Sequence, residues 1–165
     1  MQNLSLRKIS INRQIFPFGL IIKIQTREPV AHANREKNGI KVEGFVDQDG
    51  VFIEGKYLPD REKLIYPIQI TGWNKDYKKL ISLIIKKYEN NNDLEVIKIS
   101  SEGFITLEEN SLQKIYLGSQ IQELDEKLNL IFDIKEQIKN QNIHKKIESL
   151  DLTDLTNPKI KVFIP

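Results

Sequence analysis

Apolar residues recur along this chain in short runs, most of which alternate with polar neighbours, and only two stretches switch to the spacing of a helix face. No other feature constrains the fold as strongly. A period of two gives every second side chain to one face of a strand, whereas a three-four spacing marks one face of a helix. Many such strands and two such helices can bury their apolar faces by laying the helices on a sheet.

Ile9 and Ile11 alternate with polar residues, as do Leu20, Ile22 and Ile24, so residues 4–28 are predicted to form two strands joined through Pro17 and Gly19. Val42 and Phe45-Val46 precede Asp47-Gln48-Asp49-Gly50, and Val51-Phe52-Ile53 follow, which predicts a hairpin over 40–53 turning on Asp-Gly. Residues 54–64, with Pro59, read as a loop, and Tyr66–Ile70 as a short strand. Further strands are predicted over Leu94–Ser100, Phe104–Leu107, Gln113–Leu117, Ile147–Leu152 and Lys159–Ile164.

The first helix is predicted over Asp76–Tyr88, with Tyr77, Leu80, Ile81, Ile84, Ile85 and Tyr88 on one face and Asn74 as N-cap. In the second, Ile121, Leu124, Leu128, Ile131 and Ile138 share a face, and Ser119 with Gln122 forms a capping box. The fold class is therefore α+β: a mixed, largely antiparallel sheet with two amphipathic helices on one face. No internal repeat is evident.

The search for chemistry comes back empty. There are no cysteines, which excludes disulfides, thiolate nucleophiles and Cys-ligated metals. His32 and His144 fall in different elements and read as solvent-exposed structural residues. Asp47-x-Asp49-Gly50 has the opening of a calcium loop, but its twelfth position is Leu58, so a turn is the better reading. Glu108-Glu109 sits in a predicted turn, and carboxylates are too common for the pair to signify acid–base work. The glycines are scattered through turns and form no phosphate-binding cluster. Trp73 reads as a core or sheet-end residue.

With 25 basic and 23 acidic residues, the balance argues against nucleic acid as the main partner. Lys75, Lys78, Lys79, Lys86 and Lys87 give the first helix a basic, solvated face. No run approaches the roughly 18 to 20 apolar residues that span a bilayer. Met1-Gln2-Asn3-Leu4 does not open a signal peptide, so the chain by itself is expected to be soluble.

The last segment alternates cleanly, with Ile160, Val162 and Ile164 on one face and Lys159, Lys161 and Phe163 on the other. A terminal strand is often an edge strand, and an edge offers unpaired backbone groups to another chain. Phe163 is either an outward aromatic anchor or a ring packed under a loop.

Six sets of residues carry a resemblance. They are Arg13-Gln14-Ile15-Phe16-Pro17 with Leu20-Ile21-Ile22-Lys23-Ile24, then Thr26-Arg27-Glu28-Pro29-Val30-Ala31, then Gly44 to Phe52, Leu58-Pro59, Leu117-Gly118 ahead of Lys127-Leu128, and Leu150-Asp151-Leu152. In this order they resemble the FtsQ/DivIB family of bacterial cell-division proteins, its cyanobacterial members most of all. Thr26 replaces the family's usual Glu, and Thr153 stands where Arg is usual. The resemblance implies that residues 1–28 are the C-terminal end of a POTRA domain and 29–165 an FtsQ-type β domain. The family places a cytoplasmic tail, a transmembrane helix and the rest of the POTRA domain ahead of these segments.

Family membership implies a non-catalytic scaffold at the division septum, extracytoplasmic (periplasmic) and tied to the plasma membrane by a segment outside this chain. It implies no cofactor, no metal and no small-molecule substrate. The implied partners are other divisome proteins, FtsB and FtsL or their DivIC-like counterparts, added as a strand to the last strand. The partner-binding residues would be Lys159, Ile160, Lys161, Val162, Phe163 and Ile164, although the family's aromatic aligns closer to Val162 than to Phe163 when counted from Asp151. The alternative is a POTRA-containing fragment of an outer-membrane assembly or secretion protein; the lack of tandem repeats counts against it. A third reading, an enzyme with an unrecognised site, lacks any nucleophile, ligand cluster or phosphate loop.

Overall fold

A computed structural model describes residues 6–57, 66–119, 121–140 and 147–163. The elements are β1 (Leu6–Gln14), β2 (Gly19–Thr26), β3 (Pro29–Lys37), β4 (Ile40–Asp47), β5 (Phe52–Glu54), β6 (Ile68–Thr71), α1 (Lys78–Lys87), β7 (Leu94–Ile99), β8 (Ile105–Glu109), β9 (Gln113–Gly118), α2 (Leu124–Asn140), β10 (Ile147–Asp151) and β11 (Lys159–Val162). Strands β1 and β2 pair only with each other, and the other nine form one sheet in the order β11-β10-β9-β8-β7-β6-β3-β4-β5. The fold class is α+β, as expected.

Five neighbouring pairs of the large sheet are antiparallel and three parallel. Two of the parallel pairs, β6–β7 and β9–β10, are the ones joined through α1 and α2. Parallel neighbours need a long crossover, and a helix lying on the sheet supplies it. The helices lie on the same face and touch: Lys87 Nζ donates to Asn129 Oδ1 at 2.7 Å, and the Tyr88 and Phe132 rings are 5.1 Å apart. Between them and the sheet lies the core, with Leu80, Ile81, Ile84 and Ile85 from α1, Leu124, Leu128 and Ile131 from α2, and Ile70, Ile97, Leu107, Ile115 and Leu150 beneath.

The entry to α1 is built as the sequence suggests. Asn74 Oδ1 accepts from the Asp76 N–H at 3.2 Å and caps a short 3-10 turn ahead of the helix. Gln120, inside the predicted capping box of α2, lies outside the described residues, as do Leu58-Pro59, His144 and Ile164.

The Asp47–Gly50 turn is also as predicted. Asp47 Oδ1 accepts from the Asp49 and Val51 N–H groups, and Gly50 takes a φ of 73°. A Cβ at Gly50 would overlap the Lys78 carbonyl, so glycine is what lets α1 seat on this turn. The Asp47 carboxylate also receives Arg27 in an ion pair at 2.5 Å, with Asp49 at 3.7 Å from the same guanidinium. Trp73 closes the sheet end: its ring lies 5.2 Å from Phe52 and its Nε1 donates to Gly50 O.

Three expectations need correction. The sequence reading assigns no strand to residues 30–39, yet β3 takes up 30–37 of them, beside β6 and β4. Its buried residues are Pro29, Ala31 and Ala33, so the apolar alternation is faint. Glu108 and Glu109 lie in β8 rather than in a turn. Glu109 is drawn inside by Tyr88 Oη at 2.9 Å and Lys135 Nζ at 3.1 Å, and Glu108 binds Lys98 at 2.6 Å. His32 is half-buried rather than solvent-exposed, with its ring 5.0 Å from Phe45 and 5.2 Å from Tyr66. Three rings in contact exclude water from the imidazole more than a surface strand would.

Candidate docking edge

Strand β11 forms one margin of the large sheet, paired with β10 on one side only. Leu150 opposes Ile160, Ser149 opposes Lys161 and Asp151 opposes Lys159. Directly opposed residues of an antiparallel pair share a face. Ile160 therefore lies on the helix side with Leu150, and Lys159 and Lys161 point to the other side. This is the division of faces the alternation predicts. Lys161 Nζ pairs with Glu148 at 2.7 Å. Phe163 follows the strand and is 56% exposed, so it is not a ring packed under a loop. It lines a shallow cavity with Gln113, Ile147 and Glu148. Strand β5, at the opposite margin, has three residues, and Phe52 and Ile53 are buried.

The approach to β11 is held by two side-chain turns of the same design. Asp151 Oδ1 accepts from the Thr153 N–H at 2.9 Å and its hydroxyl at 2.7 Å, and Asp154 Oδ1 accepts from Thr156 at the same two distances. The Thr153 hydroxyl, its backbone N–H adding to the effect, holds the Asp151 carboxyl below the usual carboxylate range, and Thr156 does so for Asp154. The signal is the doubled Asp-Leu-Thr over 151–156, which the search for repeats passes over because it is short.

A buried lysine fixes this segment to the body. Lys127, from the first turns of α2, has no exposed surface. Its Nζ donates to Leu117 O at 2.9 Å and Thr153 O at 3.4 Å, and lies 3.4 Å from Glu123 Oε2. The Leu152 N–H completes the join by donating to Tyr116 O at 2.8 Å. One cation thus ties the end of β9 and the exit of β10 to α2. An amphipathic-face argument places Lys127 beside Leu124, Leu128 and Ile131 but gives no reason for a charge there.

Among the described residues no group of three His, Cys, Asp or Glu side chains is placed to hold a metal, and no helix is long and apolar enough to cross a membrane. Glu109, Tyr88, Lys135, Asp93 and Ser111 do form a cluster of polar groups. Each bonds within the cluster, so the arrangement braces α1, α2 and β8. Neither a family model nor a curated protein matches this chain.

Proposed function

We propose that this chain is a non-catalytic scaffold of the FtsQ/DivIB type, which binds another division protein by adding its strand to β11. On this reading residues 29–165 are the β domain, β1 and β2 are the end of a POTRA domain, and the protein works at the septum on the extracytoplasmic side. The observation that carries the proposal is the edge position of β11, open on one side and presented by a braced turn. The contacts among the residues that bear the resemblance support it further. Arg27 of the junction grips Asp47 of the hairpin, and Lys127 reaches Leu117 and the carbonyl that follows Leu152.

The bland reading is that the lysines of β11 merely protect an edge from aggregation. Proline substitution separates the two. Successive residues of a strand point their N–H groups to opposite sides, so of Ile160 and Lys161 one donates toward β10 and the other outward. Exactly one of Ile160→Pro and Lys161→Pro is expected to abolish binding of a peptide from an FtsB- or DivIC-like partner while leaving the thermal melt intact. The other should destabilise the domain. A folded chain ending at Pro158 that binds the peptide at wild-type affinity would refute the proposal.

A further inference from the structure

We propose that the outer face of α1 and α2 joins two copies of this chain into a weak, salt-sensitive dimer. The helices lie side by side on the sheet, and each turns a charged line to solvent. Lys79 and Lys86 are seven residues apart, about two turns, so they share one line of α1, opposite the buried Ile81, Ile84 and Ile85. Glu126 and Asp133 have the same spacing and lie on α2 opposite the buried Leu124, Leu128 and Ile131. Lys75 and Lys78 lie ahead of the first line, Asp125 and Glu136 flank the second, and all four are exposed. Over residues 75–87 the one exposed acid is Asp76; over 122–140 the one exposed base is Lys139, because Lys127 and Lys135 turn inward. The face is thus basic on one helix and acidic on the next.

The chain does not neutralise these lines itself. Lys87, on the flank of α1 that faces α2, pairs with Asp125 at 3.0 Å, but Lys79, Lys86, Glu126 and Asp133 have no ion pair among the described residues. The pattern also selects the occupant. A surface of one sign, an anionic lipid or a basic protein alike, would be drawn to one helix and repelled by its neighbour. What fits both is a patch with the two signs at the same separation, and a second copy supplies it. A two-fold axis in the plane of this face, midway between the two lines, sets the lysines of each copy on the carboxylates of the other, so each attraction is made twice. Setting α1 on α1 is repulsive, which rejects the alternative arrangement. The size of the face sets the strength. α2 has 17 residues, a length of about 25 Å, and two packed helices are roughly 20 Å wide. The face is therefore on the order of 500 Å² per copy, at the low end where transient complexes lie. The proposal uses none of the residues of the docking edge and stands apart from that reading.

The test is sedimentation of the full chain at low salt and rising concentration. A dimer is expected that added salt weakens. Lys79→Glu with Lys86→Glu makes the face acidic throughout, and Glu126→Lys with Asp133→Lys makes it basic throughout. Each double variant alone should dimerise at least about tenfold more weakly than the wild type. An equimolar mixture of the two should form a one-to-one dimer, since each then meets a face of opposite sign. Lys8→Glu with Lys23→Glu makes the same change in net charge on the exposed side chains of the hairpin and should dimerise like the wild type. All six positions are exposed, and unchanged melts would show that the fold is intact. The proposal is overturned by a wild-type chain that stays monomeric up to about 1 mM or by a dimer that both helix variants leave unaltered. It is overturned equally by a loss that mixing does not restore, or by the same loss in the hairpin variant.

Discussion

Lys127 brings a full charge into a site with no exposed surface, and the cost of desolvating it is offset only because its partners are placed to receive it. Leu117 O and Thr153 O each need a donor in turn. Lys127→Met keeps the stem and removes the donor, which leaves two carbonyls to be re-satisfied. It should lower stability by about 3 kcal/mol, read as a shift of the urea midpoint at unchanged slope. A shift within error would show that water replaces the ammonium at no cost. Tyr88 gives a second residue-level expectation. Burial pushes its phenol up, and the Glu109 charge it donates to adds to this. The folded state therefore holds the proton more tightly than the unfolded chain. Its contribution is complete below the ordinary value of 10.0 and is lost as the pH rises above it. The urea midpoint should fall on the alkaline side of that value, less steeply in Tyr88→Phe; equal slopes in the two proteins would exclude Tyr88 as the source.

At the scale of elements, the two sheets differ in what they bury, and hydrogen exchange should report it. No residue of β1 or β2 belongs to the core, whereas Ile97 and Ile99 of β7 lie inside it with strands on both sides. The amides of Ile9 and Ile11 should exchange faster than those of Ile97 and Ile99; equal protection would mean that the hairpin opens only with the whole molecule. Both helices and most strands were legible because each carries a full apolar face, as Leu80, Ile81, Ile84 and Ile85 do for α1. β3 was not, since alanines bring little apolar area to its inner face. One local signal could have found it. Asn38-Gly39 takes positive φ at both residues and turns β3 into β4, the commonest chemistry for a two-residue hairpin loop. The start and end of β8 shifted by one and two residues for a different reason: the burial of Glu109 depends on Tyr88 and Lys135, which are distant in sequence. At the edge, alternation gave the faces of Ile160 and Lys161, but Lys127 owes its place to carbonyls that only the assembled sheet brings together.

For the whole molecule the question is what the front contributes to the rest. The parallel pairing of β3 with β6 lies beyond local reasoning, because β4 and β5 intervene between the two along the chain. It matters here because β3 begins two residues after Arg27, which ties the junction with the hairpin to the sheet through Asp47. Two ion pairs mark that joint. Arg7 with Asp49 is partly exposed and should be worth about 0–1 kcal/mol. Arg27 with Asp47 is mostly buried, with side chains 17% and 4% exposed. Deleting residues 1–25 removes the first pair and the hairpin but keeps the second. Since no core residue is lost, the melting temperature should fall by less than about 3 °C. Arg27→Ala in the full chain keeps every strand but strands the Asp47 carboxylate among two backbone donors and no cation. It should cost about 2 kcal/mol or more, roughly 4–8 °C for a chain of this size. One substitution would thus destabilise the large sheet more than the loss of 25 residues. Calorimetry of the two proteins beside the full chain decides it: a larger fall for the deletion would mean that the hairpin supports the sheet through its strands, and the account of a self-sufficient core over residues 29–163 would have to be abandoned.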